Sequence, residues 1–166
     1  SLDLNFPALI QGQAFENVGD ETLFWYAPWP EEASDGVRVT SWPRDRLSYF
    51  SPFDTGAWSR SAGSPSHFVS APIDLEGQAV RISVNVAGIN EHSTLSVEIL
   101  DREFQVISGY DHSASRGPDG TGFSQSMTWQ NHALVENVNG QIRVRVNFGG
   151  LRPEDVRLYA VYIDQV

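Results

Sequence analysis

The sequence predicts an all-β protein, an antiparallel β-sandwich of the jelly-roll or Greek-key type. Two observations carry this prediction. Apolar and polar residues alternate through residues 80–110 and again through 142–148, as they do in strands that bury one face. No stretch shows the 3.6-residue period of an amphipathic helix, so sheets must pack against other sheets.

The clearest alternation lies in three segments that each place β-branched or leucine side chains at every second position. Because successive side chains of a strand point to opposite faces, the residues of each set share one face. We expect these faces to form one core, made of Val80, Ile82, Val84, Leu95, Val97, Ile99, Ile142, Val144 and Val146.

Shorter segments rich in β-branched and aromatic residues supply the remaining strands. In chain order the predicted strands are Thr22–Tyr26, Val37–Trp42, Phe68–Ser70, Val80–Val86, Leu95–Leu100, Phe104–Ile107, Ser126–Trp129, Ile142–Phe148 and Val156–Ile163. Asp101–Glu103 is expected to connect two of them as a short hairpin turn. Proline residues interrupt the early segments, because proline donates no hydrogen bond to a sheet.

The length predicts one β-sandwich domain over residues 1–166, since a chain of this size buries roughly 70% of its unfolded surface. Residues 1–62 form an aromatic- and proline-rich N-terminal segment with four of the five Trp residues, and residues 63–166 form the sandwich core. A loop of small residues at 59–66 marks the expected seam. Because the chain begins with Ser1 and not Met, we expect it to be part of a longer protein.

The charge balance argues against two classes of partner. The chain holds 21 acidic and 11 basic residues, a net charge of −10, and every basic residue is Arg. Such a surface repels phosphate backbones and anionic lipids, so we expect no nucleic acid and no membrane partner. The absence of Cys excludes disulfides and thiolate zinc sites.

Motifs for catalysis are missing from the sequence. It contains no G-x-S-x-G, no S-x-x-K and no H-E-x-x-H, and its four His residues stand apart. We therefore expect no enzyme activity and no catalytic residue in this chain. One enzymatic alternative stays open, a small glycoside hydrolase that uses carboxylates in residues 1–60, since such enzymes need only two acidic side chains about 5–10 Å apart.

Aromatic residues outside regular strands are the candidate ligand contacts. Trp and Tyr rings stack on the C–H faces of sugars, while polar side chains bond the hydroxyls. The candidate ligand-binding residues are Trp29, Trp42 and Trp58 from the proline-rich part, and Tyr110, Asp111 and His112 from the loop 110–122. Trp129, at the end of a predicted strand, is expected to lie in the core instead.

The loop 110–122 also carries oxygen side chains at alternating positions, which is typical of calcium loops. With Asp111 as position one, position twelve is Gly122 and not the bidentate Glu of an EF-hand, so that motif is rejected. An irregular calcium site in this loop stays open. No other cofactor and no metal ligand are predicted.

A family resemblance begins at about Phe68. The stretches FVSAPIDLEGQAVRISVNV, LSVEILDREFQVISGYD, MTW, GQIRVRVNF and RLYAVYI resemble the β-sandwich module that follows a five-bladed β-propeller in bacterial proteins related to fructan- and arabinan-cleaving glycoside hydrolases. The earlier stretches GQAFENVGDETLFWYAPWP and VRVTSWPRDRLSYFSPF resemble the last propeller strands and the linker. The resemblance implies a non-catalytic accessory or carbohydrate-binding sandwich, with the catalytic carboxylates of the propeller located before Ser1.

These observations lead to one hypothesis and one alternative from another class. The first is a non-catalytic carbohydrate-binding or accessory module of an extracellular or periplasmic polysaccharide-degrading enzyme. Its partners would be a polysaccharide or oligosaccharide and the catalytic domain of the parent enzyme. The alternative is a structural interaction domain that packs on a catalytic propeller and binds no sugar.

Overall fold

A computed structural model describes residues 8–10, 15–29, 37–52 and 66–166. Within these ranges the regular structure consists of strands and one short 3-10 turn, so the predicted all-β class is confirmed. The same ranges contain no helix with the length and hydropathy needed to cross a bilayer. The described residues form two compact units that divide between Ser48 and Tyr49.

The first unit is a four-stranded antiparallel sheet centred on its third strand. Its strands are β1 (Ala8–Ile10), β2 (Phe15–Val18), β3 (Glu21–Trp29) and β4 (Arg38–Pro43). β2 and β4 both pair with the first part of β3, and β1 pairs with its end. The two strands predicted in this part of the chain are therefore confirmed.

The second unit contains two four-stranded antiparallel sheets. Its strands are β5 (His67–Val69), β6 (Ile73–Asp74), β7 (Val80–Ala87), β8 (Ser93–Leu100), β9 (Ser115–Arg116), β10 (Gly122–Trp129), β11 (Gln141–Gly150) and β12 (Arg157–Gln165). One sheet has the order β12-β7-β10-β9, and in the other β11 pairs with β8, β5 and β6. The chain crosses between the sheets five times, from β6 to β7, β7 to β8, β8 to β9, β10 to β11 and β11 to β12, as jelly-roll and Greek-key connections require.

The core lies between these two sheets, and the predicted core is confirmed. Each predicted side chain is at most 3% exposed: Val80, Ile82, Val84, Leu95, Val97, Ile99, Ile142, Val144 and Val146. Trp129 belongs to the same core, and its indole N–H donates a hydrogen bond to the Val97 carbonyl at 2.9 Å. Alternation thus identified the inward face of each long strand correctly.

The strand predicted at Phe104–Ile107 is wrong. The chain turns after β8, and only an isolated bridge between Leu100 and Val106 remains of the expected pairing. Phe104 has a left-handed backbone with a φ of 65°. A strand cannot pass through a residue in that conformation, so the segment forms a tight turn.

The two units divide between Ser48 and Tyr49, and most of the predicted seam at residues 59–66 lies outside the described residues. Phe50 exchanges two backbone hydrogen bonds with Leu158, at 2.8 and 2.9 Å, and its ring stacks on Phe68 at 5.2 Å. Tyr49 packs its ring edge-to-face with Tyr159. These contacts with residues far along the chain attach residues 49 and 50 to the second unit.

Candidate functional site

Polar side chains of β8 and β11 lie together on the outer face of their sheet. Glu98 of β8 lies directly opposite Arg145 of β11, and Ser96 lies opposite Asn147. Their apolar neighbours in both strands point into the core, so these polar residues point away from it. We call Ser96, Glu98, His112, Arg145 and Asn147 the Glu98 cluster.

Glu98 is the centre of the cluster and is only 8% exposed. Its carboxylate accepts hydrogen bonds from the Asn147 amide at 2.9 Å and from the His112 backbone N–H at 3.2 Å. The Arg145 Nε lies 3.6 Å from the same carboxylate. A nearly buried charge therefore has an ionic partner and two hydrogen-bond donors, which is what its burial requires.

An open depression of about 250 Å³ lies in this cluster, lined by Glu98, His112, Arg145 and Asn147. Two atoms of its lining are covered by neighbouring side chains and have no hydrogen-bond partner among the described residues, the Asn147 Oδ1 acceptor and the Arg145 Nε donor. An unpaired buried acceptor such as the Asn147 Oδ1 costs about 1–3 kcal/mol, whereas the Arg145 Nε keeps its ion pair with Glu98.

The arrangement does not match a hydrolytic site. The ring Nδ1 of His112 lies 2.7 Å from the Ser96 hydroxyl, but Glu98 bonds the backbone of His112 and not its ring. The acid therefore cannot orient the imidazole as it does in a catalytic triad. Glu98 is also the one carboxylate that lines this depression, whereas glycosidases use two.

A second open depression, of about 400 Å³, lies at the end of the same sheet. It is lined by Asp74 at the end of β6, by the turn residues Asp101, Arg102 and Glu103, and by Asn139, Gly140 and Gln141 at the start of β11. Although three carboxylates border it, no group of three or more His, Asp or Glu side chains in the described ranges is placed to hold a metal ion.

The three candidate Trp residues have different positions. Trp29 is the last residue of β3, where its backbone pairs with Ala8. Trp42 is half-buried in β4 and packs edge-to-face with Phe24 at 6.0 Å between ring centroids. Trp58 lies outside the described residues. The roles of Trp29, Trp42 and Trp58 in binding remain predictions.

The prediction of an exposed stacking ring at Tyr110 is wrong. Tyr110 is 3% exposed, and its ring packs on Trp129 at 5.0 Å and on His132 at 4.8 Å. Its hydroxyl donates to the Leu134 carbonyl and accepts a hydrogen bond from the Glu136 N–H, both at 3.2 Å. The start of the loop folds back into the core because the phenol finds both apolar contacts and polar partners there.

Asp111 and His112 follow Tyr110 and have separate environments. The Asp111 carboxylate accepts hydrogen bonds within its own turn, from the hydroxyl and N–H of Ser113 and from the N–H of Ala114. These contacts make Asp111 a turn-forming residue. His112 is exposed and lines the depression of the Glu98 cluster. Among the predicted residues whose side chains the structure describes, His112 is the one that lines that depression.

We expect Asp111→Asn to remove a pH-dependent part of the stability. The hydrogen bond from the Ser113 hydroxyl, followed by that from the Ala114 N–H, lowers the pKa of Asp111 below its ordinary value of 3.8. A depressed folded-state pKa stabilises the fold above the unfolded-state pKa, and this contribution is lost as the pH falls through the folded-state value. In thermal melts from about pH 6 down to about pH 2, the variant should lose less Tm than the parent on acidification. Equal losses would contradict the prediction.

Glu98, Arg145 and Asn147 were not predicted as site residues. They occupy the polar positions of two alternating strands, which sequence patterns assign to solvent. The available signal was their chemistry, since one carboxylate and one guanidinium at outward positions can form a cross-strand pair. Using that signal required the register that places Glu98 opposite Arg145.

Comparison of the chain with protein-family models, with curated proteins and with solved structures finds no match.

Proposed function

We propose that this chain is a non-catalytic carbohydrate-binding or accessory module, and that the Glu98 cluster contacts the glycan. One observation carries the proposal: an open depression on a sheet face is lined by an acid, a guanidinium, an amide and an imidazole. A sugar hydroxyl both donates and accepts hydrogen bonds, so it can use each of these groups. Rigid strands hold three of them, which reduces the ordering cost of binding.

The charges of the cluster favour a neutral glycan. Glu98 and Arg145 neutralise each other, so the depression presents hydrogen-bonding groups without a strong field of one sign. The net charge of the chain is −10, which opposes the approach of sulfated or carboxylated polymers. We therefore propose a neutral polysaccharide or oligosaccharide as the ligand.

The family resemblance supports the biological setting that we propose. A sandwich of this type would serve a polysaccharide-degrading enzyme outside the cytoplasm, in the extracellular space or the periplasm. Its second partner would be the catalytic domain of that parent enzyme. The chain itself would cleave no glycan.

The test is affinity electrophoresis of the chain in gels that contain xylan, arabinan, inulin, β-glucan or cellulose derivatives. We expect retardation by at least one neutral polymer and a clear loss of retardation for His112→Ala. The matched control is His92→Ala, because His92 is also exposed but lies outside the depression. Retardation by no polymer, or equal retardation of both variants and the parent, would contradict the proposed site.

A specific observation favours the structural alternative as a second candidate. Phe50 is 62% exposed although its ring stacks on Phe68, and Tyr49 is 52% exposed. Exposed aromatic groups of this kind are typical of surfaces that dock a neighbouring domain. If no polymer retards the chain, and a Phe50→Ser variant loses binding to a propeller domain supplied in trans, the structural role would replace glycan binding.

A further inference from the structure

We propose that the ligand is a linear oligosaccharide lying along β11, with one sugar at the Glu98 cluster and another stacked on Phe104. This inference rests on the proposed function and adds to it a ligand shape and an aromatic platform. Phe104 belongs to the segment that the sequence assigned to a strand.

Phe104 is an exposed aromatic residue held in a strained turn. It is 57% exposed, and its φ of 65° lies in the left-handed region, which is unfavourable for a bulky side chain. Strained residues of this kind concentrate at functional sites, because the surrounding structure must compensate for them. A turn selected for stability alone would carry Gly or Asn at this position.

Arg143 fixes the orientation of the Phe104 ring. The guanidinium carbon of Arg143 lies 4.1 Å from the ring centroid. The same guanidinium donates to the Ser70 carbonyl at 3.1 Å and to the Arg102 carbonyl at 3.4 Å. One face of the ring is therefore covered by a positioned cation, and the exposed remainder of the ring is available for stacking.

The platform and the Glu98 cluster share one face of the sheet. Arg143, Arg145 and Asn147 occupy alternate positions of β11, so their side chains point to the same side. At about 3.3 Å per residue, Arg143 and Asn147 are roughly 13 Å apart along the strand. This distance exceeds one sugar ring and corresponds to a short oligosaccharide, so one chain can reach both places.

The side chains near Phe104 and in the Glu98 cluster suit a sugar chain more than other ligands. The ring of Phe104 offers an apolar surface for the C–H face of a pyranose or furanose ring. The depression beside it supplies carboxylates of Asp101 and Glu103 that can accept hydrogen bonds from hydroxyl groups. An anionic ligand would meet these carboxylates with like charge, so a neutral chain fits best.

The test compares binding of xylo-, arabino-, inulo- and cello-oligosaccharides of increasing length by titration calorimetry. For the series that binds, affinity should rise at least about tenfold from one unit to four, because the second contact becomes available. Phe104→Asn should lose about tenfold in affinity for the longer sugars and leave the shortest unaffected. Its Tm should not fall, since Asn tolerates the left-handed conformation.

The matched control is Phe123→Asn. Phe123 is also an exposed aromatic residue, 43% exposed, but it belongs to β10 of the other sheet. This variant should bind every oligosaccharide as the parent does. Affinity independent of length, or unchanged binding by Phe104→Asn, would overturn the inference while leaving glycan binding intact. If no sugar of any length binds, the proposed function fails and the inference fails with it.

Discussion

Trp129→Ala should lower the free energy of unfolding by about 3–5 kcal/mol, the range observed when a large buried aromatic side chain is removed. The indole is 3% exposed and packs against Tyr110. Its N–H also donates to the Val97 carbonyl, so the substitution removes both packing and a buried hydrogen bond. Urea unfolding followed by circular dichroism measures the change.

Two comparisons separate these contributions. Trp129→Phe keeps most of the ring volume and loses the N–H donor, so it should cost clearly less than the alanine variant. Trp42→Ala should also cost less, because Trp42 is half-buried in the first unit. If the free energy of unfolding of Trp129→Ala lies within about 1 kcal/mol of the parent value, the indole is not a core residue.

Glu98→Ala should cost about 2–3 kcal/mol of stability and remove glycan retardation. The substitution leaves the Asn147 amide and the His112 N–H without their acceptor, and it leaves Arg145 without its carboxylate. Arg145 is partly exposed, so water compensates its charge in part and keeps the cost below that of a fully buried pair. Denaturant unfolding and affinity electrophoresis give the two measurements.

Glu98→Gln is the informative partner of this variant. The new amide can donate to the Asn147 Oδ1, the atom that has no partner among the described residues, if the Asn147 side chain flips. The new side-chain oxygen can still accept from the His112 N–H. We therefore expect a smaller loss of stability than for alanine. Equal losses for both variants would show that charge pairing with Arg145, and not hydrogen bonding, dominates at Glu98.

The long strands were predictable because burial of one face produces a two-residue period in the sequence. Val80, Ile82 and Val84 follow this period, and all three are inward-facing in β7. The same argument failed at Phe104–Ile107, where apolar residues occur without a strand. There the left-handed backbone of Phe104 determines the local structure. Because Phe rarely adopts that conformation, the sequence does not predict it.

The candidate site was less predictable because it depends on register and on chain reversal. The polar residues Glu98 and Arg145 are evident in the sequence. Their separation along the chain does not indicate that they lie opposite each other on the neighbouring strands β8 and β11. At Tyr110 the sequence predicted exposure that the structure does not show. The position at the start of a turn-rich loop suggested an exposed ring, but the ring packs on Trp129 and His132. Among the candidates whose side chains the structure describes, His112 has a loop position and also lines the depression of the cluster.

The pairing of β7 with β12 has a consequence for how the chain acquires its structure. Val80 pairs with Gln165, and β11 pairs with β5 as well as β8, so most ladders join segments far apart in sequence. The chain loses the entropy of closing such long loops before the strand contacts stabilise it. Proteins of high contact order therefore fold slowly, in milliseconds to seconds. The central strand β7 acquires its second neighbour only with β12, so the β12-β7-β10-β9 sheet cannot be complete before residues 157–165 have been synthesised.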